Sequence, residues 1–113
     1  MKTITTDKNG SVFHYLNGKL HRADGPAIEW TDGTRLWYLD GKQHREGGPA
    51  VEWTDGSKHW YLNGKRHRED GPSVECADGS KHWWLDGKRM EISSLEELKE
   101  EVKLWKIREI QET

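Results

Sequence analysis

The sequence predicts an all-β repeat array of hairpins, an elongated twisted sheet, closed by one C-terminal α-helix. Three observations predict it. Gly10, Gly33, Gly56 and Gly79 recur every 23 residues. Asn-Gly or Asp-Gly pairs fall at matching places in every period. After Met90 the period gives way to apolar residues at helical spacing. Residues 1–91 are read as the hairpin repeat domain, with units at 10–32, 33–55 and 56–78 and a partial unit at 79–91. Residues 92–113 are read as the capping segment, its helix running from about 93 to 111.

Successive full units match at 14 of 23 positions, so the repeat organises everything else. Within each unit, turn chemistry sets the hairpins. Asn17-Gly18, Asp40-Gly41, Asn63-Gly64 and Asp86-Gly87 suit two-residue type I′ turns, which need positive φ at both central positions. Asp32-Gly33, Asp55-Gly56 and Asp78-Gly79 are read as a second set of two-residue turns. Gly25-Pro26, Gly48-Pro49 and Gly71-Pro72 mark a third bend, where proline removes a ladder donor. Strands of about five residues fit between these turns.

A register follows. Two-residue turning at Asp55-Gly56 sets Trp53 opposite Lys58, Glu52 opposite His59 and Val51 opposite Trp60. Alternation then places Val51, Trp53, Trp60 and Leu62 on one apolar face. It places Glu52, His59 and Tyr61 on the other, mixed face. Through Asn63-Gly64, Trp60 comes opposite His67, and Trp37 likewise comes beside His44. One unit alone cannot bury its apolar face, so the units stack.

The final segment reads differently. Ser93-Ser94-Leu95-Glu96-Glu97 is a capping box. Leu95, Leu98, Val102 and Trp105 follow as one helical stripe, with Leu104 and Ile107 off it. The expected role is to cover the open end of the stack, because an exposed sheet end invites association.

Composition agrees with a thin core. Leu, Ile, Val and Phe number only 19 in 113 residues, while seven Trp and three Tyr supply apolar area. Each aromatic ring buries about 150–250 Å². Two columns, Trp30/Trp53 and Trp37/Trp60/Trp83, are expected to do this burying along the stack. The formal net charge of −2 argues against a general nucleic-acid binder. No run of about 18 apolar residues suggests a membrane span. The N-terminal residues have no apolar leader pattern. With Cys76 as the single cysteine, no internal disulfide forms, and a cytoplasmic setting is the expectation. Cys76 stands in the Trp30/Trp53 column and is expected to be a small buried apolar residue.

The segments Trp37-Tyr38-Leu39-Asp40-Gly41-Lys42-Gln43-His44 and Trp60-Tyr61-Leu62-Asn63-Gly64-Lys65-Arg66-His67 resemble the MORN repeat. Weaker copies run from His14 to His21 and from Trp83 to Met90. Coverage is about four-fifths of the chain. The family's usual H-G-x-G tail is replaced by His-Arg-x-x-Gly-Pro, a divergent form similar to repeat proteins of bacteria and their phages. The resemblance implies an elongated array of β-hairpins, and protein interaction or scaffolding. In some members it implies a link to lipid. Bacterial relatives include toxin-neutralising partners. It does not imply an enzyme.

The residues themselves carry no enzyme signature: no G-x-S-x-G elbow, phosphate-cradling loop or H-E-x-x-H helix. His21, His44 and His67 recur once per unit. A ladder strung along a stack does not converge on one metal, so no metal or cofactor is expected. Each histidine is instead expected to pack on the Trp opposite it and to bond a turn carbonyl. The candidate binding residues are Tyr15, Tyr38, Tyr61 and Trp84, with Arg22, Arg45, Arg68, Glu52 and His59. Exposed Tyr and Trp are favoured interface anchors. Arginine offers forked donors to phosphate or carboxylate. The simpler account of the arginines is a solvated ladder of ion pairs with Glu29, Glu52 and Glu75. The expected function is non-enzymatic binding of another protein, as an inhibitor or neutralising partner of a larger host or toxin protein. The alternatives are sequestration of a nucleotide or other anionic small molecule, and a lipid-surface adaptor. A homodimer through the helix or a stack end is a further expectation.

Overall fold

A computed structural model describes residues 1–111, and the last two residues of the 92–113 segment lie outside the described residues. The chain forms a slab measuring 47 × 38 × 18 Å. The N-terminal strand β1 (Lys2–Thr6) pairs antiparallel with β2 (Val12–Leu16), with Ile4 opposite His14. The two-residue strand β3 (Lys19–Leu20) folds back on β2. The first unit ends with β4 (Ile28–Glu29). The second holds β5 (Arg35–Leu36), β6 (Tyr38–Leu39), β7 (Lys42–Gln43) and β8 (Val51–Glu52). The third repeats that layout with β9 (Lys58–His59), β10 (Tyr61–Leu62), β11 (Lys65–Arg66) and β12 (Val74–Glu75). The partial unit holds β13 (Lys81–Leu85) and β14 (Lys88–Met90), followed by α1 (Leu95–Gln111).

The main sheet runs β1-β2-β4-β5-β8-β9-β12-β13-β14, with β3 alongside β2. The hairpins β6-β7 and β10-β11 form a separate row. The expected hairpin array with a helical cap is therefore the fold, but most strands have two residues rather than five. The break falls at Trp37 and Trp60. Trp60 gives its N–H to Ser73 O at 2.8 Å, just before the next strand of the main sheet. Its carbonyl accepts from His67 N–H in its own hairpin. One residue thus serves two ladders, and the strand divides there.

The type I′ turns are as expected. Asn17, Asp40, Asn63 and Asp86 have φ of 50–52°, and the glycines after them are also positive. The second set of turns is different. Glu52 pairs with Lys58, and Val51 with His59, one residue off the expected register. The loop is Thr54-Asp55-Gly56, closed by Gly56 N–H to Trp53 O at 3.0 Å and Trp53 N–H to Ser57 O at 2.9 Å. Only Gly56 has positive φ, as a three-residue loop with a bulge requires. Asp55 Oδ1 accepts the Ser57 N–H at 2.8 Å, which locks that geometry. Asp32 and Asp78 repeat it at 2.9 Å on Thr34 and Ser80.

A one-residue slip exchanges the faces. Glu52 and His59 therefore do not share a face, and Tyr61 belongs to a different sheet from both. Val51 and His59 point to the interior together. The correction extends to the Trp30/Trp53 column, which does not bury: Trp30 is 41% and Trp53 47% exposed. Cys76, their counterpart, is half-buried rather than buried. The interior of the slab is instead Ala27, Ile28, Ala50, Val51 and Val74.

The helix closes the fourth unit. Ser94 Oγ accepts the Glu97 N–H at 3.2 Å, and Glu97 Oε1 reaches back to Ser93 and Ser94, so the capping box is present. Leu98 and Val102 form a buried cluster with Trp83 and Leu85. Met90, Ile92 and Trp105 pack around it. Leu95 is 47% exposed, so the first member of the expected stripe lies outside this cluster.

Candidate functional site

The His-Arg-x-x-Gly-Pro segment places three side chains in fixed roles in each unit. His21, His44 and His67 each accept a turn N–H of the following unit at Nδ1. The donors are Asp40, Asn63 and Asp86, at 3.0, 2.9 and 2.8 Å. The bond is to a turn amide, not to the turn carbonyl expected, because the I′ turn directs its first N–H outward to the neighbouring unit. An accepting Nδ1 leaves the proton on Nε2. In His67 that nitrogen meets Glu69 Oε2 at 2.9 Å.

Arginine, rather than histidine, covers the tryptophan. The Arg45 guanidinium lies 3.9 Å from the centre of the Trp37 ring, and Arg68 3.9 Å from that of Trp60. Such stacking contributes about 0.5–2 kcal/mol. Nη1 of Arg45 also donates to Pro49 O and Glu52 Oε2, at 3.1 and 3.2 Å. Arg68 does the same with Pro72 O and Glu75 Oε2, at 3.1 and 2.9 Å, and its Nε meets Asp70. In the first unit Arg22 bonds Pro26 O, Glu29 and Asp24, and His14 stands in place of the tryptophan. The Arg–Glu ladder is therefore present, and Nη1 of each arginine serves it.

The glycine before each proline has a steric reason. A Cβ on Gly25, Gly48 or Gly71 would lie 2.9, 2.9 or 2.6 Å from the neighbouring guanidinium carbon. A Cβ there would push the clamped guanidinium aside.

Titration follows the same contacts. Burial beside Val51 and Val74, then the charge of Arg66, pushes the His59 pKa below the ordinary 6.5, against an upward pull from Asp55. Burial, then Arg22, does the same to His14, against Glu29 and Asp24. For Glu69, burial pushes the carboxyl up, but hydrogen bonds from His67 and Lys106 outweigh it and hold the pKa below the usual value. Among the described residues no group of three or more His, Cys, Asp or Glu is arranged to hold a metal ion. No helix of the described residues is long and apolar enough to cross a membrane.

The expected tyrosine anchors are half-buried. Tyr15 sits between β1 and β3, opposite Thr3 and Leu20. Tyr38 pairs with Gln43. Tyr61 and Trp84 lie under one guanidinium, with Arg66 Cζ 5.6 and 5.1 Å from their ring centres. Glu52 serves as the acceptor of Arg45, and His59 lines the interior. The more accessible aromatic pair, Trp30 and Trp53, was assigned by the sequence to the core. One signal marked their position: both directly precede a Thr-Asp-Gly loop, at the rim of the sheet.

A row of open grooves lies along the tryptophan face. One, of about 680 Å³, has Trp37, Leu39 and His44 at its floor and Arg22 to Gly25 at its rim. The next, of about 490 Å³, has Trp60, Leu62 and His67 at its floor and Arg45 to Pro49 at its rim. Each groove sets a Trp, a Leu and a His against charged residues of both signs.

No family model, curated protein or solved structure matches this chain. The resemblance to the MORN repeat thus rests on the motif residues themselves.

Proposed function

We propose that this chain is a non-enzymatic protein-binding module of the MORN-like repeat type. The observation that supports it is the pair Trp30 and Trp53, 41% and 47% exposed, one repeat apart on turns locked by Asp32 and Asp55. Large aromatics held rigid at a surface are the residues that carry interface energy. Nη1 of each arginine offered to a nucleotide or other anion is engaged with a Glu carboxylate and a proline carbonyl. A protein partner is therefore the reading we favour over sequestration, and a larger host or toxin protein is the partner class proposed.

Affinity capture by the full chain, followed by mass spectrometry, tests it. Trp53→Ala and the pair Tyr38→Ala and Tyr61→Ala are compared with the unaltered chain. A partner retained by the unaltered chain and lost with Trp53→Ala supports the reading. A melting temperature that rises with a nucleotide panel, with no protein retained, would overturn it.

A further inference from the structure

The main sheet ends on one side at β1. All five residues of this strand are exposed, Ile4 by 64%. Among the described residues nothing pairs with its outer side. Natural sheet edges are blunted by a proline, a bulge, a very short strand or inward charges. β1 has none of these. It is as long as any strand of the chain, is β-branched from Thr3 to Thr6, and is charged only at its end, Lys2.

The direction of its free backbone groups follows from β2. Ile4 stands opposite His14. The His14 N–H goes to Ala27 O, and its carbonyl accepts from His21 N–H, both on the side away from β1. At the two ends of the pair, Met1 O accepts the Asn17 N–H and Asp7 N–H goes to Ser11 O. Antiparallel ladders alternate residue by residue. Lys2, Ile4 and Thr6 therefore turn both N–H and C=O outward, to the open edge.

We propose that β1 pairs antiparallel with β1 of a second copy, with Ile4 on the twofold axis, so that one main sheet runs through both chains. This goes beyond the protein partner proposed above and does not depend on it. In that register Ile4 faces Ile4 of the other copy, and Lys2 faces Thr6. Every outward N–H and C=O of the strand then finds a partner. A slide of two residues would strand one of the three in each copy. Thr3 faces Thr5, a favourable cross-strand pair. The two Lys2 residues stand at opposite ends, about 14 Å apart along the strands, so no like charges meet.

Head-to-tail continuation of the array lacks the bond that ties its units together. Within the chain the turn N–H of Asp40, Asn63 or Asp86 is accepted by the histidine of the unit before it. At such a join the histidine position is Met90, which offers no ring nitrogen. The matching donor, Asn17 N–H, is already given to Met1 O. The far edge also offers β1 only Lys81 and His82, because Trp83 to Leu85 turn away to pair with β14.

Sedimentation equilibrium of the full chain over a concentration series tests the proposal. The expected result is a reversible dimer whose mass saturates at twice that of the chain. Ile4→Pro deletes an outward N–H and leaves the bonds to β2 in place, as proline on an outer edge does. It weakens the dimer about tenfold or more. Thr6→Lys sets a lysine opposite Lys2 of the other copy and weakens it about fivefold. Adding Lys2→Glu to Thr6→Lys restores it. Circular dichroism establishes that each variant is folded. Thr6 is exposed, so its variants keep the test valid if Ile4→Pro does not fold. A chain that stays monomeric to about 1 mM overturns the proposal. So does a mass that keeps growing past the dimer, which would mean head-to-tail joining. A dimer indifferent to Thr6→Lys and lost with Ile107→Glu assigns the contact to the exposed face of α1 and also overturns it.

Discussion

Replacing Gly71 by alanine isolates the arginine clamp. The new Cβ would lie 2.6 Å from Arg68 Cζ and 2.9 Å from its Nε and Nη1, so the guanidinium has to shift. Gly71 has no positive φ, so backbone strain does not enter. If that shift carries the guanidinium off Trp60, Pro72 and Glu75 together, the loss is at its upper bound. Loss of the stacking on Trp60 removes about 0.5–2 kcal/mol. The Glu75 pair, with side chains 21% and 36% exposed, adds about 1 kcal/mol after solvent screening. The Asp70 pair adds almost nothing, since Asp70 is 89% exposed. Against this, alanine stiffens the unfolded chain, a gain of about 0.4–1 kcal/mol. The net loss is about 1–2 kcal/mol. Urea denaturation reads it as a lower midpoint, by about 1 M at an m-value near 1.5 kcal/mol/M. In an Arg68→Ala background the clash is gone, and Gly71→Ala becomes neutral or mildly stabilising. The double-mutant cycle therefore shows strong coupling. Equal losses from Gly71→Ala in both backgrounds would refute the clamp as the reason for this glycine.

Three further outcomes follow from the same contacts. His67→Ala removes a ring only 6% exposed and the acceptor of the part-buried Asp86 N–H bond, and lowers stability by about 1–3 kcal/mol, while His21→Ala, whose bond to Asp40 is exposed, lowers it by under about 1 kcal/mol; urea midpoints separate the two. Leu98→Ala, at a fully buried position, costs about 2–5 kcal/mol and raises amide exchange across α1. His59 and His14 have depressed pKa values, so the unfolded chain takes up protons more readily than the folded one. Their contribution is fully present above the ordinary 6.5 and is lost as pH falls below it; a denaturation series from pH 8 to 5 shows the decline, and His59→Gln flattens it.

Much of the fold was legible because it is written in local spacing. Asn63-Gly64 forces a two-residue turn wherever it falls between strands, since few other residues accept φ near 50° and 80° in succession. Ser94 and Glu97 announce a helix start by their own reciprocal bonds. Asp55-Gly56 misled because the same dipeptide serves a two- or a three-residue loop. The choice was made by Asp55 bonding the Ser57 amide, which leaves Gly56 alone at positive φ. From that single residue came the misplaced Glu52 and His59, and with them the expectation of a buried Trp53. The arginine site was legible as a ladder of ion pairs. Its stacking on Trp37 and Trp60 was not, because it joins residues from different strands of the hairpin.

The amino-acid sequence by itself determined the period, the I′ turns, the helical cap and the count of units. These depend on φ preferences and on residues a few positions apart. Only the tertiary structure decided which aromatics are accessible, what each histidine bonds, and which side chains cover each tryptophan. Those facts depend on register and on contacts between units. A register one residue different keeps every local preference and exchanges the two faces, so nothing short of the assembled sheet fixes them.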